Sequence, residues 1–254
     1  MSGEIEFGLR HGDSARPTPE PRMIPPNQLW RVVVVGGPTR SIGKTQLVCD
    51  VIAAFPEARW VAGKITQYGH GVCAQNGHDC DCAPDEHVCA LSWEQSAETG
   101  TDSSRFLAAG AERSFWLRTK QGFLAEGLPI LRQALGEIAT GGNGAGREDY
   151  LPPLALIVES NSFMHFVKPS LFLAVLDPGK EDFKDSARAA LDRADALVVR
   201  GEGIGAGGAA YWMKLPAKIL REKPSVRQRE DEPLPEPLVA LVKRVLDAEP
   251  RVTV

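Results

Sequence analysis

Lys44 and Thr45 follow directly on Gly43, at the end of the stretch VVVVGGPTRSIGKTQL that spans residues 32–47. A lysine beside a hydroxyl, after a glycine-rich turn and at the start of a helical pattern, suits the gripping of a polyphosphate. Backbone N–H groups and the helix N-terminus hold phosphate oxygens, Lys44 reaches the terminal phosphates, and the Thr45 hydroxyl ligates Mg²⁺. The expected nucleotide contacts are Gly37, Thr39, Arg40, Ser41, Ile42, Gly43, Lys44, Thr45 and Gln46. The general pattern places a glycine five residues before the Gly-Lys pair. Here that position is Pro38, and Gly37 lies one residue further back.

Phosphate chemistry also needs a carboxylate. Glu159 follows the apolar run LALIV, residues 154–158, where it can bind Mg²⁺ or orient an attacking water. Lys44 and Glu159 are therefore the expected catalytic pair, with Thr45, Glu159 and Asp177 as the Mg²⁺ set. Asp177 ends the next apolar run, and Asn161 and Ser162 stand close to Glu159 in sequence. Lys64, Asp102 and Arg105 are polar positions at element ends that can serve either the site or the surface, while His165 reads as structural.

A second kind of chemistry is written in residues 68–90, YGHGVCAQNGHDCDCAPDEHVCA. Cys73, Cys80, Cys82 and Cys89 form a C-x6-C-x-C-x6-C array, with His70, His78 and His87 interspersed. Four thiolates suit a tetrahedral zinc or an iron–sulfur cluster, and the other reading is a redox-active or merely cysteine-rich loop. The segment has few apolar side chains, so bound metal would supply its order. Cys49 falls instead among Leu47, Val48, Val51 and Ile52, as a small core residue.

These residues need elements to position them. Four consecutive valines read as a strand buried on both faces, in a parallel sheet. Strands are expected over 30–35, 59–65, 114–117, 154–158, 171–176 and 196–199. Helices are expected over 44–55, 101–111, 123–139, 185–194 and 238–248, with a helix interrupted at Pro216 over 209–222. Residues 141–153, 201–208 and 224–237 read as loops or surface excursions. Alternating strands and helices predict an α/β fold, a mostly parallel sheet with helices on both faces. Ligands of such sheets sit at the carboxyl ends of the strands, which draws the phosphate loop, the cysteine segment and Glu159 to one edge. Residues 1–28 hold five prolines and read as a flexible arm. The expected domain covers 29–248 with 66–99 as a metal-binding insert, and 249–254 is a tail.

Composition narrows the function. The chain has 254 residues, 43% hydrophobic and 24% charged, with a formal net charge of −4. That balance offers no electrostatic case for nucleic acid or an anionic membrane. Neither a bilayer-spanning run of about 20 apolar residues nor a signal core is visible, so a cytoplasmic protein is expected.

The GGPTRSIGKT loop, Lys64 at a strand end, GTDSSRFLAAGA at residues 100–111 and LIVES at residues 156–160 together resemble the molybdopterin-guanine dinucleotide biosynthesis protein B family. That family stands within the phosphate-loop GTPases and ATPases that include metallochaperones. The resemblance covers about residues 30–200; the Cys/His segment and Ser160, where glycine is expected, depart from it. It implies a nucleotide-binding adaptor with weak hydrolysis, often dimeric, that assists a molybdenum-cofactor nucleotidyltransferase; the expected partner is therefore a cofactor-biosynthesis or metalloenzyme protein.

The sequence thus points to Mg²⁺-dependent binding and slow hydrolysis of ATP or GTP, linked to metal or molybdenum-cofactor handling. Two other readings stand beside it. One is a small-molecule kinase or ATP-dependent ligase like dethiobiotin synthetase; the other is a metallochaperone gated by nucleotide. With no Asn-Lys-x-Asp motif present, the base is not specified.

Overall fold

A computed structural model describes residues 29–69, 87–139, 154–180, 183–200, 217–229 and 232–254. Among the described residues, nine strands form one sheet: β1 (Leu29–Gly36), β2 (Arg59–Tyr68), β3 (Cys89–Trp93), β4 (Arg113–Lys120), β5 (Leu154–Glu159), β6 (Leu171–Leu176), β7 (Ala196–Val199), β8 (Ser225–Arg227) and β9 (Val252–Thr253). Their order is β3-β4-β2-β5-β1-β6-β7-β8, with β9 pairing antiparallel to the start of β1. All other pairings are parallel except β3 with β4.

The valine run of β1 occupies the middle of this sheet. Val32 and Val34 face one side and Val33 and Val35 the other, and all four are fully buried. On the Val33 side lie α1 (Lys44–Ala54), α2 (Asp102–Ala108) and α6 (Glu236–Asp247), which contribute Leu47, Val51, Phe106, Leu238 and Val242 to the core. The Val32 side is covered by α3 (Leu124–Ala139), a 3₁₀ turn at Ser162–His165 and α4 (Asp185–Ala190), through Leu131, Phe163 and Ala190. A further helix, α5 (Ala217–Glu222), precedes β8. Helices on both faces of a mostly parallel sheet, with a glycine-rich turn leading from β1 to α1, make this the expected α/β fold.

Three strands were not expected. β3 lies within the predicted cysteine insert and pairs with β4, so residues 89–93 belong to the sheet. β8 is three residues long in a charged, proline-bearing stretch, with only Val226 buried. β9 is shorter still. β8 and β9 are too short to show a period, and β3 is an edge strand inside the cysteine-rich stretch with no alternation of apolar and polar residues. Where the expected strands do occur, β2 and β4 run past their apolar cores to Tyr68 and Lys120, because their register pairs them along that whole length. Among the described residues, no helix is long and apolar enough to cross a membrane.

Candidate nucleotide site

The turn from β1 to α1 is shaped by two glycines, and neither is at position 38. A Cβ on Gly37 would meet the Ile42 side chain at 2.6 Å and the Val175 carbonyl at 2.7 Å. Gly43 has φ of +85°, and Ser41 also adopts a positive φ of 54°. Pro38 has no such demand. It is buried, and its carbonyl accepts a hydrogen bond from the Lys184 N–H at 3.0 Å. A proline fits there because its missing N–H is not called on and its fixed φ stiffens the turn.

Asn161 holds the root of the loop. Its side chain accepts from the Gly37 N–H and donates to the Gly37 carbonyl, both at 2.8 Å. The Gly37 amide is thereby engaged, and Pro38 has none to offer. No side chain caps α1, and no acid stands in its first turn. A helix N-terminus left this way, beside two positive-φ residues, is prepared for an anion.

Lys44 lies against this loop and donates to the Thr39 carbonyl. Burial pushes its pKa below the ordinary lysine value, and Glu159 partly offsets the fall. The Thr45 hydroxyl donates to Glu159 Oε2 at 2.6 Å, joining the first turn of α1 to the end of β5. Together they present the hard oxygen donors that Mg²⁺ prefers. Parallel pairing puts Lys64, Glu159 and Val35 in one row across β2, β5 and β1. Lys64 Nζ lies 3.4 Å from Glu159 Oε1 and also forms an ion pair with Asp102 at the start of α2. Burial opposes the Lys64 charge, but Glu159 and Asp102 outweigh it and hold its pKa above the ordinary value.

The other predicted residues are dispersed around this centre. Ile42 is buried beneath the loop, while Arg40 and Ser41 are exposed on it. Gln46 donates to Asp50 and accepts from Arg105, tying α1 to α2. Asp177 ends β6 as expected, but its carboxylate accepts from the Gly179 N–H at 2.8 Å, within its own turn. Ser160 accepts from the Phe163 N–H, a local bond that glycine would not supply. His165 is exposed. Cys89 is a half-buried free thiol on β3, with its pKa raised by burial. Cys73, Cys80 and Cys82, with His70 and His78, lie outside the described residues. Among the described residues, no three His, Cys, Asp or Glu side chains are grouped to hold a metal ion.

Sequence reasoning passed over the other flank of the loop. Arg200, just past β7, donates to the Gly43 carbonyl at 3.4 Å and to Asp50 at 3.2 Å. The only sequence signal for it was a charged residue ending a buried strand.

No family model matches the sequence, and no curated protein matches it. Among solved structures, HypB from Helicobacter pylori in complex with nickel is similar with a TM-score of 0.41 and 12% identity, over 85% of this chain and 84% of that one. A likeness of that size carries no functional argument, so the reading of the site rests on its own residues.

Proposed function

We propose that this chain binds a nucleoside triphosphate with Mg²⁺ and hydrolyses it slowly, in the manner of the molybdopterin-guanine dinucleotide biosynthesis protein B family that its motifs resemble. The observation that carries the reading is the 2.6 Å bond between Thr45 and Glu159, set beside the uncapped start of α1. Lys44 would exchange the Thr39 carbonyl for β- and γ-phosphate oxygens, whose negative charge favours the ammonium that burial disfavours. The N–H groups of the loop and of the first turn of α1 would hold the remaining oxygens, with Thr45 and Glu159 as oxygen ligands for Mg²⁺. Glu159 would also orient the attacking water. Mg²⁺, when bound, neutralises charge that develops on the phosphates.

In this proposal the nucleotide cycle serves a metal or cofactor task, with Cys73, Cys80, Cys82 and Cys89 taking zinc or an iron–sulfur cluster. Elemental analysis of protein purified without oxygen checks that half, and finding neither zinc nor iron removes it. For the nucleotide half, Lys44→Ala should weaken ATP and GTP binding by calorimetry at least a hundredfold, with the melting temperature little changed. Equal binding in that variant ends the proposal.

A further inference from the structure

Two buried hydrogen-bonding atoms stand unmatched at the carboxyl ends of β7 and β8. Arg200 is 7% exposed and Gln228 1% exposed, and among the described residues neither Arg200 Nε nor Gln228 Oε1 has a hydrogen-bond partner. Burying a polar group without a partner costs free energy, so each such atom calls for a reason. The two are neighbours in the fold. Val199 pairs with Arg227, and the Gln228 N–H donates to the Val199 carbonyl. Arg200 and Gln228 follow Val198 and Val226 by two residues, and both valines pack on the α1 side of the sheet. Alternation therefore puts both polar side chains on the face that carries the phosphate loop.

Their remaining bonds fix which atom is left over. The Gln228 Nε2 hydrogens go to the carbonyls of Arg229 and Glu232, at 3.1 and 3.0 Å, which leaves Oε1 as a pure acceptor. Arg200 spends Nη2 on Gly43 and Asp50, and its Nε lies 3.0 Å from the point where a Cβ on Gly43 would stand. One donor beside Gly43 and one acceptor at the end of the neighbouring strand are thus left over. A phosphate has no donor for Gln228 Oε1, whereas a nucleobase edge carries an acceptor next to a donor.

We infer that Arg200 and Gln228 read the base of the bound nucleotide, as specificity-determining residues at the ends of β7 and β8. The assignment rests on the nucleotide reading above and deepens it by placing the base on the flank away from Glu159. It also accounts for base recognition in a chain without an Asn-Lys-x-Asp motif. A base docked there satisfies both atoms, while a ligand that lacks it leaves them unpaired, which is how polar sites obtain discrimination.

The test is calorimetric. Affinities for Mg-ATP, Mg-GTP and magnesium tripolyphosphate are measured for the wild type, Arg200→Lys and Gln228→Leu. Arg200→Lys keeps a cation for Asp50 but loses the planar Nε donor, and it decides the matter if Gln228→Leu does not fold. The wild type should prefer one nucleoside triphosphate over tripolyphosphate, and each folded variant should shrink that margin about tenfold. An unchanged margin overturns the base assignment alone, as does an equal loss for tripolyphosphate, which would make Arg200 a support of the loop. If tripolyphosphate and both nucleotides fail to bind the wild type, the nucleotide reading falls with it.

Discussion

The two flanks of the phosphate loop are built on opposite plans. On the β5–β2 side, Glu159, Lys64, Thr45 and Asp102 form a chain of matched charges and hydrogen bonds. On the β7–β8 side, Arg200 and Gln228 keep a buried donor and a buried acceptor that are unmatched among the described residues. The closed flank can release its bonds one for one to incoming charge, as suits a phosphate and its cation. The open flank gains bonds only when a ligand with its own donor and acceptor arrives. In the proposed reading, reaction and selection are thereby separated across α1, and Asp50, Gln46 and Arg105 join the two flanks.

Several substitutions would break or sharpen that contrast. The largest effect after the loss of Lys44 should come from Glu159→Gln, which keeps an acceptor for Thr45 but removes the charge. Hydrolysis should fall on the order of a hundredfold, with the stimulation of binding by Mg²⁺ much reduced. If hydrolysis is unaffected, the reactive flank lies elsewhere.

Lys64→Met comes next. It leaves Glu159 and Asp102 without their cation and should cost about 2 kcal/mol in urea unfolding near neutral pH, less than a fully buried pair because Lys64 is partly open to water. Its folded-state pKa is raised, so this contribution is fully present below the ordinary lysine pKa and disappears as pH rises through the folded value. The gap between wild type and variant should therefore close in alkali. A gap that widens there would contradict the ion-pair account.

The smallest effect concerns Glu94, beyond the closed flank. Although burial works against its charge, its carboxylate accepts from the hydroxyls of Thr101 and Ser103 and from the Ser96 and Gln95 N–H groups, and its pKa is lowered. That stabilisation is present above the ordinary glutamate pKa and is lost as pH falls through the folded one. Glu94→Gln should flatten the acid limb of the stability curve, as followed by melting temperature between pH 5 and pH 3.

Much of the closed flank was legible in the sequence. Lys44-Thr45 after Gly43 announces itself by local chemistry, and Glu159 by its place at the end of an apolar run. The partnership of Lys64 with Glu159 depends on β2 and β5 being adjacent, which no local pattern reports. Pro38 looked anomalous against a spacing rule, yet the backbone puts its positive-φ and close-approach demands at positions 37, 41 and 43. The open flank was hidden for a different reason. Unmatched atoms become visible only once their neighbours are counted, and Gln228 sits in a stretch whose composition reads as surface.

The pairing of β3 bears on the cysteine segment in a way its spacing did not suggest. Tyr68 pairs with Lys120 and Cys89 with Thr119, so the ends of residues 69–88 are pinned on opposite sides of β4, roughly 10 Å apart. The sheet has thus already met the entropy of closing that length of chain, whose growth with loop size is slow, about 0.6 kcal/mol per doubling. Of the four thiols, Cys89 belongs to the sheet, so the segment between the pins can change length in evolution without moving the fourth.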